Sequence, residues 1–151
     1  MIRRILVALD GSSRAAGVLA AAAEVAARFD AALIPFRAVT TPPEFPPAAH
    51  VANGDSLPKY LDDAARTEIA LLTASMAVRT ELPVVGHGEP WRAILLAAEQ
   101  HDVDLVLLGS HGSRGLDRVL GTTAASVANL AHRNVLVVHE RVESPTARSP
   151  S

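Results

Sequence analysis

Two stretches of this chain place small and polar residues directly after apolar runs. Asp10-Gly-Ser-Ser13 follows Ile5-Leu-Val-Ala-Leu9, and Gly109-Ser-His-Gly-Ser-Arg-Gly115 follows Asp104-Leu-Val-Leu-Leu108. Gly121-Thr-Thr123 comes next, ahead of an alanine-rich helical stretch. Glycines let backbone N–H groups turn toward a ligand with no Cβ in the way. A helix N-terminus offers unpaired N–H groups and a partial positive charge. Ser110, Thr122 and Thr123 add hydroxyls, and Arg114 and Arg118 add charge, so the second segment suits an anion such as phosphate. The competing reading is structural: glycines form a tight turn and the threonines cap a helix. For an isolated Gly-x-x-Gly that reading weighs more, because short motifs match by chance. Asp10 also has two readings. It is an acceptor for a sugar hydroxyl or a base amino group, or it shapes the Asp-Gly turn into the first helix. The residue alone does not choose between them.

Other chemistries find no support. Gly86-His-Gly88 is followed by Trp91 where a dinucleotide fingerprint needs a third glycine, and no Gly-x(4)-Gly-Lys-Ser/Thr or Gly-x-Ser-x-Gly is present. Cysteine is absent, which removes disulfides, thiolate nucleophiles and cysteine-based metal sites. The six histidines lack His-x-His or His-Glu-x-x-His spacing and read as surface or turn residues. Lys59 is the single lysine against thirteen arginines. Trp91 reads as a helix-packing residue rather than a base-stacking one.

The elements that must hold these segments follow from periodicity. Residues 5–9, 104–108 and 135–138 are apolar without alternation, as expected of strands covered by helices on both faces of a parallel sheet. Residues 31–39 form a fourth strand, where Pro35 predicts irregularity or an outer position, and residues 82–86 a fifth, short edge strand. Helical patterns lie between. Residues 13–29 carry Val18, Ala22, Val25 and Phe29 on one face, with Glu24 and Arg28 paired outside and Ser12 or Ser13 as cap. Residues 57–78 carry Leu61, Ala65, Ile69, Leu72 and Met76. Residues 89–100 start with Pro90, and residues 122–131 turn Ala124, Val127, Ala128 and Ala131 inward. The order β-α-β-α-β-α-β-α-β predicts a doubly wound α/β fold with a parallel sheet. Residues 40–56, with Pro42, Pro43, Pro46 and Pro47, predict a long surface loop, and residues 141–151 a disordered tail.

The 151 residues suit one domain, and 49% hydrophobic with 20% charged residues excludes a wholly disordered chain. A formal net charge of -2 gives no bulk attraction for nucleic acid or anionic membrane. The apolar run after Arg3 and Arg4 is too short for a signal peptide, and no stretch predicts a membrane span, so a soluble chain is expected.

Taken together in order, Ile5-Leu-Val-Ala-Leu-Asp-Gly-Ser12, Asp104-Leu-Val-Leu-Leu-Gly-Ser-His-Gly112, Gly121-Thr-Thr-Ala-Ala-Ser-Val127 and Val135-Leu-Val-Val138 resemble the universal stress protein family. The resemblance assigns residues 1–140 to one such domain. It implies a five-stranded parallel sheet in the order 3-2-1-4-5, a cytoplasmic location and a homodimer paired through the last strand, residues 134–139. Some members bind ATP through Gly-x(2)-Gly-x(9)-Gly-Ser/Thr. Gly109, Gly112, Gly121 and Thr122 match that pattern, but eight residues separate Gly112 from Gly121, one fewer than in the pattern. By this analogy Asp10 approaches the adenosine, Val39 lies near the base, and Ala8, Leu9 and Leu108 line the pocket. The phosphates of ATP, ADP or AMP, with or without Mg, lie against Gly109, Ser110, His111, Gly112, Gly121, Thr122 and Thr123. The expected role is sensing or regulation, with slow ATP hydrolysis at most. The alternative is a member that binds no nucleotide and acts through its dimer surface. A homodimer is also expected from the apolar last strand, which lacks the prolines and lysines that protect an open edge.

Overall fold

The computed structural model describes residues 1–46, 50–52, 54–110 and 120–140. Strands and helices alternate: β1 Arg4–Ala8, α1 Ala15–Phe29, β2 Ala32–Val39, α2 Leu57–Thr73, β3 Val84–His87, α3 Pro90–Gln100, β4 Leu105–Gly109, α4 Thr122–Leu130 and β5 Asn134–Val138. The strands form one parallel sheet in the order β3-β2-β1-β4-β5, as the resemblance implied.

The unalternating strands are explained by what covers them. Ile5, Val7, Leu33, Leu105 and Leu107 point into one core with α1 and with Ile69 of α2. Leu6, Ile34, Phe36, Val106 and Leu108 point into the other, against Ala93, Ile94, Ala97 and Ala98 of α3 and Ala124 and Val127 of α4. Apolar residues in the middle of β1, β2 and β4 therefore lose their water whichever face they meet, whereas β5 at the sheet edge is only partly covered and leaves Leu136 exposed, so burial on both faces does not account for its unalternating run. Asp104 pins the start of the two central strands. Its carboxylate accepts the N–H groups of Arg3 at 2.8 Å and Arg4 at 3.0 Å.

Several local expectations are corrected. Pro35 lies on β2, an interior rather than an outer strand, opposite Val7 of β1, while the expected irregularity is found on its β3 side. The proline is tolerated because its missing N–H falls on the β3 side. Leu33 uses both its backbone groups on that side, with Arg79 and Glu81, and Pro35 shares its orientation two residues on. The regular β2–β3 ladder starts only at Phe36 opposite Val84. The preceding bridge pairs Leu33 with Thr80, which leaves one more residue on the β3 side and no donor required of Pro35.

Neither Ser12 nor Ser13 is the cap of α1. Arg14 occupies that position with no side-chain cap, while Ser12 Oγ accepts the Arg14 N–H at 3.2 Å one step earlier. Phe29 is half exposed at the end of α1, where Asp30 turns left-handed with φ 53° and closes the helix. α2 stops at Thr73, short of residue 78, because the Met76 N–H turns back to the Thr73 carbonyl. Met76 and Val78 still pack on the α1 core, so the apolar spacing reported burial beyond the helix itself. Ser56 caps α2 as its sequence context suits, accepting the Lys59 N–H. Ala128 is exposed rather than inward. Glu24 and Arg28 pair at 3.2 Å on the outer face of α1 as expected. The tail beyond Glu140 lies outside the described residues.

Candidate functional site

Chain order reverses around β1, which pairs with β2 on one side and β4 on the other. Loops leaving these strands diverge to opposite faces, and an open α/β sheet forms a crevice beyond the strand ends at such a point. A cavity of about 700 Å³ lies there. Ala8, Leu9 and Asp10 line it from the end of β1, Leu108, Gly109 and Ser110 from the end of β4, and Gly121, Thr122 and Thr123 from the start of α4. Val39 does not line it. Its carbonyl accepts the Gly88 N–H, and Ala38, one residue earlier, reaches the cavity instead. His111 and Gly112 lie outside the described residues.

Each of these positions has a local cause. After Asp10, Gly11 adopts φ +74°, and a Cβ there would collide with the Arg37 guanidinium, which is ion-paired to Glu68 of α2. The left-handed φ favours glycine here, and a larger residue would also have to push the Arg37 guanidinium aside. Asp10 Oδ1 accepts the Ser12 N–H at 2.9 Å, so the turn-shaping reading of Asp10 is met by an observed bond. That bond leaves Oδ2 of the exposed carboxylate uncommitted to the turn, and the ligand reading stands beside it. Gly109 ends β4 beneath α1, and a Cβ on it would lie 3.2 Å from Val18 Cγ2. Its smallness therefore has a packing cause as well.

Ser110 is almost fully buried and ties three elements together. Its N–H donates to the Val138 carbonyl at 2.9 Å, and its own carbonyl accepts the Gly121 N–H at 2.7 Å. Gly121, not a threonine, is the cap residue of α4, and it has no side chain with which to cap that helix. The competing reading in which the threonines cap this helix is not met, and Thr122 and Thr123 form its first turn beside the cavity.

The rest of the lining was not singled out from sequence. Phe36, Ala38, Pro90 and Ile94 make an apolar wall where β2 meets the start of α3. Arg14 and Gly17 come from α1, and His139 and Glu140 follow β5. Arg14 Nε lies 3.5 Å from Glu140 Oε2. The one available signal was topological: parallel strands put every strand end and every helix start at the same end of the sheet. Gly86 belongs to packing, since a Cβ there would lie 2.8 Å from Phe36 Cζ. Trp91 packs on the α3–α4 core with Arg92 stacked over its ring at 5.0 Å, as the packing reading held.

Away from the cavity, His87 Nε2 lies 3.1 Å from Asp62 Oδ1, and Arg66 Nε lies 2.7 Å from Asp62 Oδ2. Burial pushes the Asp62 carboxyl up, but the hydrogen bonds and charges of Arg66 and His87 together hold it below the usual range. Among the described residues no group of three or more His, Cys, Asp or Glu side chains is placed to hold a metal ion. No helix among them is long and apolar enough to cross a membrane.

A parallel 3-2-1-4-5 sheet with a cavity at its switch point defines a doubly wound α/β domain. Within that class the universal stress protein family matches residues 1–139, and the chain belongs to it. Universal stress protein A homolog 1 of Coxiella burnetii is 30% identical over 90% of this chain and 95% of its own length. A universal stress protein solved in complex with cAMP superposes with a TM-score of 0.68 at 24% identity, over 93% of this chain and 99% of that one. The universal stress protein of Archaeoglobus fulgidus in complex with dAMP does so with a TM-score of 0.61 at 19% identity, over 91% and 98%.

Proposed function

We propose that this chain is a cytoplasmic binding protein that takes an adenine nucleotide, ATP in its resting form, in the cavity beyond β1 and β4. The observation that carries this reading is the composition of the cavity. Nine residues read from sequence as a nucleotide site, Ala8, Leu9, Asp10, Leu108, Gly109, Ser110, Gly121, Thr122 and Thr123, line one space of about 700 Å³. That volume falls within the roughly 300–1,000 Å³ typical of small-molecule sites. The base packs on the apolar wall of Phe36, Ala38, Pro90 and Ile94. Asp10 accepts from the ribose or the base. The phosphates lie toward Gly109, Ser110 and the start of α4, where N–H groups and the helix dipole favour negative charge. His111 and Gly112 continue that phosphate segment. ADP and AMP share the adenosine contacts, and Mg enters, where it does, with the polyphosphate. Relatives of the same fold solved with cAMP and with dAMP support an adenine ligand.

The output of binding is regulatory: the protein senses or sequesters nucleotide and hands that state to a partner or to its own dimer, with ATP hydrolysis slow at most. The homodimer forms through residues 134–139. β5 is the outer strand of the sheet, Leu136 is part exposed, and its open edge is apolar. The second reading is a dimeric member that binds no nucleotide. The eight-residue interval between Gly112 and Gly121 favours it.

One experiment separates the two. Purified protein is denatured, and the released small molecules are identified by mass spectrometry. The stripped, refolded protein is then titrated with ATP by calorimetry. An adenine nucleotide in the released fraction, or saturable heat with ATP, meets the first reading. Neither, at millimolar ATP, overturns it.

A further inference from the structure

Arg14 opens α1 and Glu140 follows β5, yet their side chains meet at the cavity and both line it. Among the described lining residues Arg14 is the one arginine or lysine, set against the two carboxylates of Asp10 and Glu140. The partners are unequally placed. The Arg14 side chain is 25% exposed, and that of Glu140 is 64% exposed. A guanidinium that holds a carboxylate offers the same planar donors to a phosphate. The more exposed partner swings into water at little cost, because such an ion pair is weak. The enclosed partner stays.

We propose that Arg14 adds a charged determinant to the glycine segment and the start of α4 in distinguishing phosphorylated from unphosphorylated adenosine, and that Glu140 is a displaceable carboxylate standing in for the phosphate. Glu140 is one partner of Arg14 at the cavity while no phosphate is present. When phosphate arrives, Arg14 exchanges partners, and the Glu140 charge opposes the ligand more strongly the more phosphates it carries. Glu140 is thus a specificity residue for phosphate number. Nothing in the apolar wall of Phe36, Ala38 and Ile94 supplies such discrimination. The inference rests on the adenine-nucleotide reading of the cavity.

The test is calorimetry of the full chain with adenosine, AMP and ATP at low and high salt, for wild type, Glu140→Gln, Arg14→Gln and Arg14→Lys. Glu140→Gln should tighten ATP by about two- to fivefold, the range expected for one screened surface charge, tighten AMP less, and leave adenosine unchanged. Arg14→Gln should weaken AMP and ATP by about tenfold or more and spare adenosine. Arg14→Lys, which keeps the charge, should retain part of the preference, and it reads the same ratio if Arg14→Gln fails to fold. Unchanged ATP-to-adenosine ratios in Glu140→Gln and Arg14→Lys would overturn this inference alone. Wild type that binds neither adenosine nor ATP would overturn the nucleotide reading and this inference with it.

Discussion

Asp10 is where the structural and functional readings are most directly separable. Its Oδ1 accepts the Ser12 N–H at 2.9 Å at an exposed turn, so Asp10→Ala deletes that bond while Asp10→Asn keeps an acceptor in the same place. An exposed hydrogen bond of this kind contributes about 0.5–1 kcal/mol net. For a chain of this length each kcal/mol moves the melting point by about 2–4 °C. Asp10→Ala should therefore melt about 1–4 °C lower, and Asp10→Asn close to wild type. Binding responds differently if the carboxylate contacts adenosine. Loss of a charge-assisted bond costs about 1.5–3 kcal/mol, which weakens binding by about 10- to 150-fold. Both variants should show that loss, and to first order by one factor for adenosine, AMP and ATP, because all three share the adenosine. The assays are thermal melting by circular dichroism and calorimetric titration on the same samples. If Asp10→Ala melts lower while both variants keep wild-type adenosine affinity, the carboxylate serves the turn only.

Three further outcomes follow from the packing and the charges. Gly86→Val should lose about 1–3 kcal/mol by urea unfolding through overpacking against Phe36 and Ala93, and a Phe36→Leu background should recover part of it; equal losses in both backgrounds would refute the contact. The Arg3 N–H holds the Asp104 carboxyl below the usual range; desolvation opposes this and the Arg4 N–H adds to it. Because the folded pKa is depressed, the stability Asp104 contributes is present above the unfolded carboxylate pKa of about 3.9 and is lost as pH falls through the folded value. Asp104→Asn should consequently cost less stability in urea melts at pH 3 than at pH 7, and an equal cost at both would refute the linkage. Val137→Lys should give monomers or insoluble protein by light scattering, whereas a wild-type mass matching one chain at micromolar concentration would remove the β5 dimer.

The order of elements and the parallel sheet were legible because burial on both faces erases alternation along β1 and β4, while the equally unalternating β5 run proves to be a partly exposed edge strand. The runs at residues 5–9, 104–108 and 135–138 differ from the observed β1, β4 and β5 by about one residue at their ends. The glycine-rich strand ends stood out in sequence as a candidate ligand segment because their residue types suit phosphate, and the fold places Gly109, Ser110 and Gly121 in the lining of one cavity. Sequence could not show that Gly11 lies under Arg37, Gly86 under Phe36 or Gly109 under Val18, since each close approach joins different elements. It could not show that Pro35 sits inside the sheet, because only the register of β2 against the segment before β3 removes the demand for its N–H. Nor could it choose Ala38 over Val39 as the cavity residue, a choice made by which side of β2 each residue faces. Arg14 and Glu140 carry no local signal at all. They meet because parallel strands gather the start of α1 and the end of β5 at one end of the sheet, and only the closed fold brings opposite charges from the two ends of the chain within reach.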